Sequence, residues 1–150
     1  MAPRERTLPR EVFLSHSARD RRFADRLATS LRSNGIPVWY SSTNIAGAQQ
    51  WHDEIGKALL RCDWFVVVLS PNSVKSRWVR LELGFALREA RYDNRIIPLL
   101  LKPCDHLTLS WTLGGIQFVD FSTSFDGGCR NLLRVWGLGY RLDAGSRRKK

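Results

Sequence analysis

The sequence predicts an α/β sandwich of flavodoxin-like, three-layer type: a five-stranded parallel sheet, order 2-1-3-4-5, with helices on both faces. Three observations predict it. Trp64-Phe65-Val66-Val67-Val68-Leu69 is a continuous apolar run rich in β-branched and aromatic residues, the pattern of a mid-sheet strand buried on both faces. Short apolar strands alternate with amphipathic helical stretches, as repeated βαβ units do. Right-handed crossovers between such units then wind the chain outward in both directions from the first strand. At 150 residues the chain is long enough for one domain with a proper core.

In chain order, residues 1–10 are polar, contain Pro3 and Pro9, and are expected to be irregular. Strands are predicted near 11–15, 36–40, 64–70, 95–101 and 116–121. After the first strand, Ser17-x-x-Asp20 has the spacing of a capping box. Phe23, Leu27 and Leu31, with Ala24 and Ala28 beside them, then mark a helix that Asn34-Gly35 ends. Pro37 places the second strand at an edge or near its own start. Ser41 to Gln50 has no apolar period and reads as a loop. Trp51, Ile55 and Leu59 open the next helix, which ends near Cys62. Beyond the buried third strand, Ser70-Pro71-Asn72-Ser73 reads as a break, and Ser76 as the N-cap of another helix. Pro103 stops the fourth strand, and 104–115 holds a short helix or turn ending in Gly114-Gly115. After the turn glycines Gly127-Gly128, Leu132, Leu133 and Trp136 mark a last amphipathic helix. The domain is therefore assigned to 11–140, and 141–150 to a basic tail or linker stump.

Composition narrows the function. A hydrophobic content of 43% with 25% charged residues describes a globular protein. No apolar run reaches membrane-span length, and the first residues lack the apolar core of a signal peptide. Cys62, Cys104 and Cys129 are odd in number and widely spaced, which points to a reducing, cytoplasmic setting. Of the net charge of +10, four charges sit in Arg147-Arg148-Lys149-Lys150. With no basic run interleaved with aromatics, neither direct nucleic-acid binding nor a membrane surface is expected.

The residue that stands out is Glu82. On its helix Arg77, Arg80, Arg88 and Arg91 form a solvated stripe, and Glu82, two residues past Arg80, lies about 200° round from it. Its neighbours three and four residues away are Trp78, Val79, Phe85 and Ala86, none of which pairs with a charge. A carboxylate in an apolar stripe costs stability unless something satisfies it. Two readings stand: a buried glutamate capping a nearby loop, or a functional acid at the carboxyl edge of the sheet, where open α/β folds bind ligands.

Other constellations fail. A response-regulator receiver needs an acidic pair after strand one and an aspartate after strand three, where this chain has Ser15-His16 and Ser70-Pro71. There is no Gly-rich dinucleotide or phosphate loop and no nucleophile elbow. His52-Asp53-Glu54 is consecutive on a helix, so its side chains diverge and no metal site is expected.

Val12-Phe13-Leu14-Ser15-His16-Ser17, Gly35-Ile36-Pro37-Val38-Trp39, Val68-Leu69-Ser70-Pro71 and Trp78-Val79-Arg80-Leu81-Glu82, in that order, resemble a TIR (Toll/interleukin-1 receptor) domain over roughly residues 10–137. Trp78-x-x-x-Glu82 looks like the signature of the family's NAD+-cleaving bacterial members. That resemblance implies an NAD+ glycohydrolase with Glu82 catalytic, Trp78 walling the pocket, and His16, Ser17, Ala18 and the loop around Ala46 lining the dinucleotide. NAD+ would be the substrate and no cofactor is implied. The product would be nicotinamide with ADP-ribose or a cyclic isomer, used in signalling or immune defence. It also implies self-association through TIR–TIR contacts and a sensor domain or partner protein. The chain departs from the family's pattern at Ser41 and Ala46, where members often carry acidic residues. The rival reading is a non-catalytic adaptor acting through homotypic contacts; a third is a base-exchange enzyme using the same acid.

Overall fold

The computed structural model describes residues 8–41 and 48–140, with side chains for all of these except 48–51. Its centre is a five-stranded sheet in the order β2-β1-β3-β4-β5, every neighbouring pair parallel. The strands are β1 (Val12–Ser15), β2 (Val38–Trp39), β3 (Trp64–Leu69), β4 (Ile96–Leu100) and β5 (Val119–Asp120). The helices are α1 (Arg21–Ser33), α2 (Ala48–Arg61), α3 (Pro71–Val74), α4 (Arg77–Arg88) and α5 (Phe125–Val135). The predicted class and strand order are those observed. Among the described residues no helix is long and apolar enough to cross a membrane.

Strand alternation divides the core in two. Val12, Leu14, Val66, Val68, Ile97 and Leu99 face α1 and α5, packing on Leu27, Leu31, Leu132 and Leu133. Phe13, Phe65, Val67 and Leu69 face the other way, onto Ile55 and Leu59 of α2 and Val79 and Leu83 of α4. Because β3 is central, both its faces are covered, which is why its sequence is apolar without interruption.

Several predicted boundaries are corrected. The predicted strand at 36–40 narrows to Val38–Trp39, after Pro37. Residues 48–50, assigned to a loop, are the first turn of α2. The break at Ser70–Ser73 is a one-turn helix with a full capping box: Ser70 Oγ accepts from the Ser73 N–H, and Ser73 Oγ accepts from the Ser70 N–H. Helix α4 stops at Arg88, so Arg91 lies on the 3-10 turn Ala90–Tyr92 and off the arginine stripe. The region 104–115 holds two 3-10 helices, His106–Thr108 and Trp111–Gly115.

The largest shortening is in β5, predicted at 116–121 and observed at Val119–Asp120. Pro98 explains it. Arg95 O and Leu101 N bond to β3, while Leu100 O accepts from Phe121 N on the β5 side. By alternation Pro98 faces β5 too, and it has no N–H to give. The ladder therefore begins only at Leu99–Val119. The chain at 116–118 splays away, leaving a cleft of about 830 Å³ beside Trp64, Ile96 and Phe118. This cleft lies at the strands' N-terminal end.

Gly127 and Gly128 are not turn glycines. They sit in the first turns of α5, which Ser124 caps by accepting from the Gly127 N–H at 2.9 Å. A Cβ on Gly128 would come within 2.4 Å of the Phe121 ring, whereas one on Gly56 in α2 would meet nothing within 4 Å. Gly128→Ala should therefore lower stability by about 1–3 kcal/mol through overpacking. Gly56→Ala should raise it by about 0.5–1 kcal/mol through helix propensity. Urea titrations read both, and a Gly128→Ala protein as stable as the parent would refute the close-packing account.

Candidate active site

The sheet order places a topological switch between β1 and β3. The chain leaves β1 for α1 on one face and leaves β3 for α3 and α4 on the other, which opens a crevice at the carboxyl edge. Ser15, the last residue of β1, shares a face with Phe13, so alternation turns its side chain toward α4. Helix α4 begins at the Ser76 cap, whose Oγ accepts from the Val79 N–H at 3.3 Å. It buries Val79, Glu82, Leu83 and Ala86 on one stripe. The two elements meet in one hydrogen bond: Ser15 Oγ donates to Glu82 Oε1 at 2.7 Å.

Glu82 is only 6% exposed, and among the described residues Ser15 is its one hydrogen-bond partner. No cation pairs with it among them. Burial therefore dominates and pushes its pKa from 4.5 up to about 7, with the Ser15 hydroxyl pulling weakly the other way. The result is a carboxyl group close to half-ionised at neutral pH, in an apolar setting beside a crevice. Such a group can stabilise a cationic centre that forms next to it, because little water screens the interaction.

The other predicted site residues are arranged less simply. Trp78, one helical turn before Glu82, is half-buried against the α2–α4 core, with His52 edge-on at 4.7 Å. His16 is half-buried, its ring tilted against Tyr40 at 5.8 Å. Its Nδ1–H donates to the Ser17 carbonyl at 2.8 Å, which leaves Nε2 as a buried acceptor without a partner among the described residues. Burial holds its pKa below the usual histidine value, so the imidazole is neutral, and its charged surroundings are Asp20, Asp25 and Arg21 on the α1 side. Its ring thus belongs to the face opposite Glu82. Ser17 is buried and its Oγ accepts from the Arg19 N–H at 3.2 Å. Ala18 is exposed on the same turn. Ala46 falls outside the described residues.

One group was misread in the sequence. Ser17 and Asp20 do not form a reciprocal box: Ser17 Oγ accepts from the Arg19 N–H and not from that of Asp20. The Asp20 carboxylate, 8% exposed, accepts from Ser70 Oγ at 2.5 Å and from Asn72 Nδ2 at 2.9 Å. It thereby links the 3-10 turn after β1 to α3 across the switch point. Two polar residues, Ser70 and Asn72, directly after an apolar central strand were the available signal, but turn chemistry accounts equally well for them.

Comparison with known proteins bears on the family and the fold. The family profile described as "TIR domain" matches residues 12–133. The "NAD(+) hydrolase PdTIR" of Paracoccus denitrificans is 32% identical over 118 residues, covering 77% of this chain and 40% of that protein. The "2' cyclic ADP-D-ribose synthase BtTIR" of Bacteroides thetaiotaomicron is 32% identical over 97 residues, covering 63% and 34%. The chain thus spans less than half the length of these relatives. Among solved structures, the TIR domain of the Toll-related receptor TRR-2 of Hydra magnipapillata superposes with a TM-score of 0.66 at 22% identity, over 82% of this chain and 94% of that one. With the profile running from the first strand into the last helix, and the observed sheet in the expected order, this chain belongs to the TIR-domain family.

Proposed function

We propose that this chain is an NAD+ glycohydrolase that breaks the nicotinamide–ribose bond, with Glu82 as the catalytic carboxylate. The observation that carries the reading is the burial of Glu82 at the carboxyl edge of the sheet with, among the described residues, one hydrogen bond and no cation. A carboxylate kept only for structure would gather several donors; this one is left with unspent charge. The names of the relatives, NAD(+) hydrolase and 2' cyclic ADP-D-ribose synthase, support the substrate.

As the glycosidic bond stretches, positive charge builds on the ribose and nicotinamide departs with the bonding electron pair. The pyridinium becomes neutral on leaving, so no general acid is required. Ionised Glu82 stabilises the ribosyl cation. Water then attacks the anomeric carbon and loses its proton to give ADP-ribose. If a hydroxyl of the bound ADP-ribosyl group takes the water's place, the product is a cyclic isomer. Trp78, one turn along the same helix face, would wall the pocket, and the turn at His16, Ser17 and Ala18 would line the dinucleotide from the β1 side, joined by the loop that contains Ala46. Copies would associate through their TIR domains, in a signalling or defence role.

Glu82→Gln keeps the acceptor for Ser15 and removes the charge. Nicotinamide release should fall by about 100- to 1000-fold, the equivalent of roughly 3–4 kcal/mol. Stability should move the other way. Between about pH 4.5 and 7 the folded protein holds a proton that the unfolded chain has lost, so the parent loses stability as pH rises through that window. The variant lacks this pH-dependent cost, so its stability relative to the parent should rise by on the order of 3 kcal/mol between pH 4.5 and 8. A variant that still cleaves NAD+ at a comparable rate would remove Glu82 from catalysis, whereas a folded parent that releases no nicotinamide would favour an adaptor.

The parent's kcat/KM should drop on the acid side of about pH 7 as Glu82 takes up its proton. Ser15→Ala deletes the one donor among the described residues that favours the ionised form, so its acid limb should move to higher pH. A limb that stays in place would disprove the coupling between the two residues. For assembly, activity per molecule should rise with protein concentration. A flat response over a hundredfold dilution series, with light scattering showing monomers throughout, would count against self-association as part of the activity.

A further inference from the structure

The crevice at the switch point has two walls that the sheet does not join, because the connections after β1 and β3 depart to opposite faces. Asp20 joins them. Its Oδ2 takes the Ser70 hydroxyl and its Oδ1 takes the Asn72 amide, so one carboxylate holds the N-cap and the second residue of α3. From α3 the backbone runs without slack into α4: the Ser76 N–H bonds to Ser73 O, and Ser76 caps the helix that carries Glu82. On the other side, the Asp20 N–H bonds to Ser17 O, closing the turn that holds Ser17, Ala18 and Arg19.

Stability alone is a poor reason for this residue. Asp20 is 8% exposed and has no ion pair with a lysine or arginine among the described residues. Both of its donors are neutral. A buried carboxylate with that company gains little over an apolar side chain of the same size. What it supplies is a fixed separation between two segments that border the same crevice.

We propose that Asp20 is a positioning residue for substrate binding, tying the turn after β1 to α3 so that the two walls of the crevice hold the dinucleotide between them. This rests on the NAD+ reading above. Glu82 has its own tie to β1 through Ser15, so losing the Asp20 link falls first on how substrate is gripped and only secondarily on the charge at the reacting carbon. Loss of the link raises KM more than it lowers kcat.

The variants Asp20→Ala, Asp20→Asn and Asn72→Ala test this. Asn at position 20 can accept from Asn72 through Oδ1 and donate to Ser70 Oγ through Nδ2, because a hydroxyl both donates and accepts. It should therefore recover most of what Ala loses. Asp20→Ala should raise the KM for NAD+ by about tenfold or more with a much smaller change in kcat, and Asn72→Ala should fall between. Titration of NAD+ into each variant carrying Glu82→Gln should show the same order in Kd, with no turnover to interfere. Amide hydrogen exchange without NAD+ should speed up in 16–20 and 70–76 together in Asp20→Ala and remain close to the parent in Asp20→Asn.

Activity that falls only with the folded fraction, at unchanged KM, would overturn the proposal. So would an Asn variant as impaired as Ala. If Asp20→Ala does not fold, the Asn and Asn72 variants decide the matter. A parent that neither binds nor cleaves NAD+ would instead defeat the functional reading and the substrate half of this one, and the exchange data would still show whether Asp20 joins the two segments.

Discussion

The hydrogen bond from Ser15 to Glu82 joins residues 67 positions apart, and it forms only if several independent features hold together. Register matters first. Ser15 must face α4, so β1 must pair with β3 such that Phe13 meets Phe65 and Ser15 meets Val67; a slip by one residue would turn the hydroxyl to the opposite core. Helix phase matters next, since Glu82 shares its stripe with Val79, Leu83 and Ala86. Hydrophobic packing thus delivers a charged group into an apolar layer. The cost is tolerable because the rest of the stripe is buried so completely. Under the proposed function, stability and chemistry are opposed at this one carboxylate, a common arrangement at functional sites.

The sequence made the scaffold legible where a single force set the answer. The uninterrupted run at β3 encodes burial on both faces, and the apolar periods of α1 and α5 encode one face each. Glu82 was visible for the same reason, as a charge that broke its own helix pattern. What stayed hidden depended on tertiary neighbours. Gly128 looks like a turn residue until the Phe121 ring is placed against it. Pro98 sits in a strand by its apolar neighbours, and only the direction of its missing N–H shows that β5 is the partner it shortens. Asp20 followed a serine at capping distance, and nothing local says that its carboxylate reaches Ser70, 50 residues on.

The site residues divide along the same line. Ser15 and Glu82 touch, and Trp78 shares the face of Glu82. His16 follows Ser15 directly, yet alternation sends its ring to the other layer, against Tyr40. Adjacent positions at the end of a strand therefore serve different sides of the sheet. A motif written as consecutive letters conceals that division, and in Ser15-His16-Ser17 only the first side chain reaches α4. The other two stabilise the turn that follows.

The sheet's outer strands bear on how copies of this chain can meet. Both β2 and β5 are two residues long, so neither rim offers a run of unpaired backbone groups on which another strand could be templated. Long flat rims are what natural sheets avoid when they must stay dispersed. Any domain that meets copies of itself at high local concentration would face that hazard. With its rims cut short, association is left to side chains, helices and loops, contacts that can be undone, and fibre-like strand addition finds little to grow on.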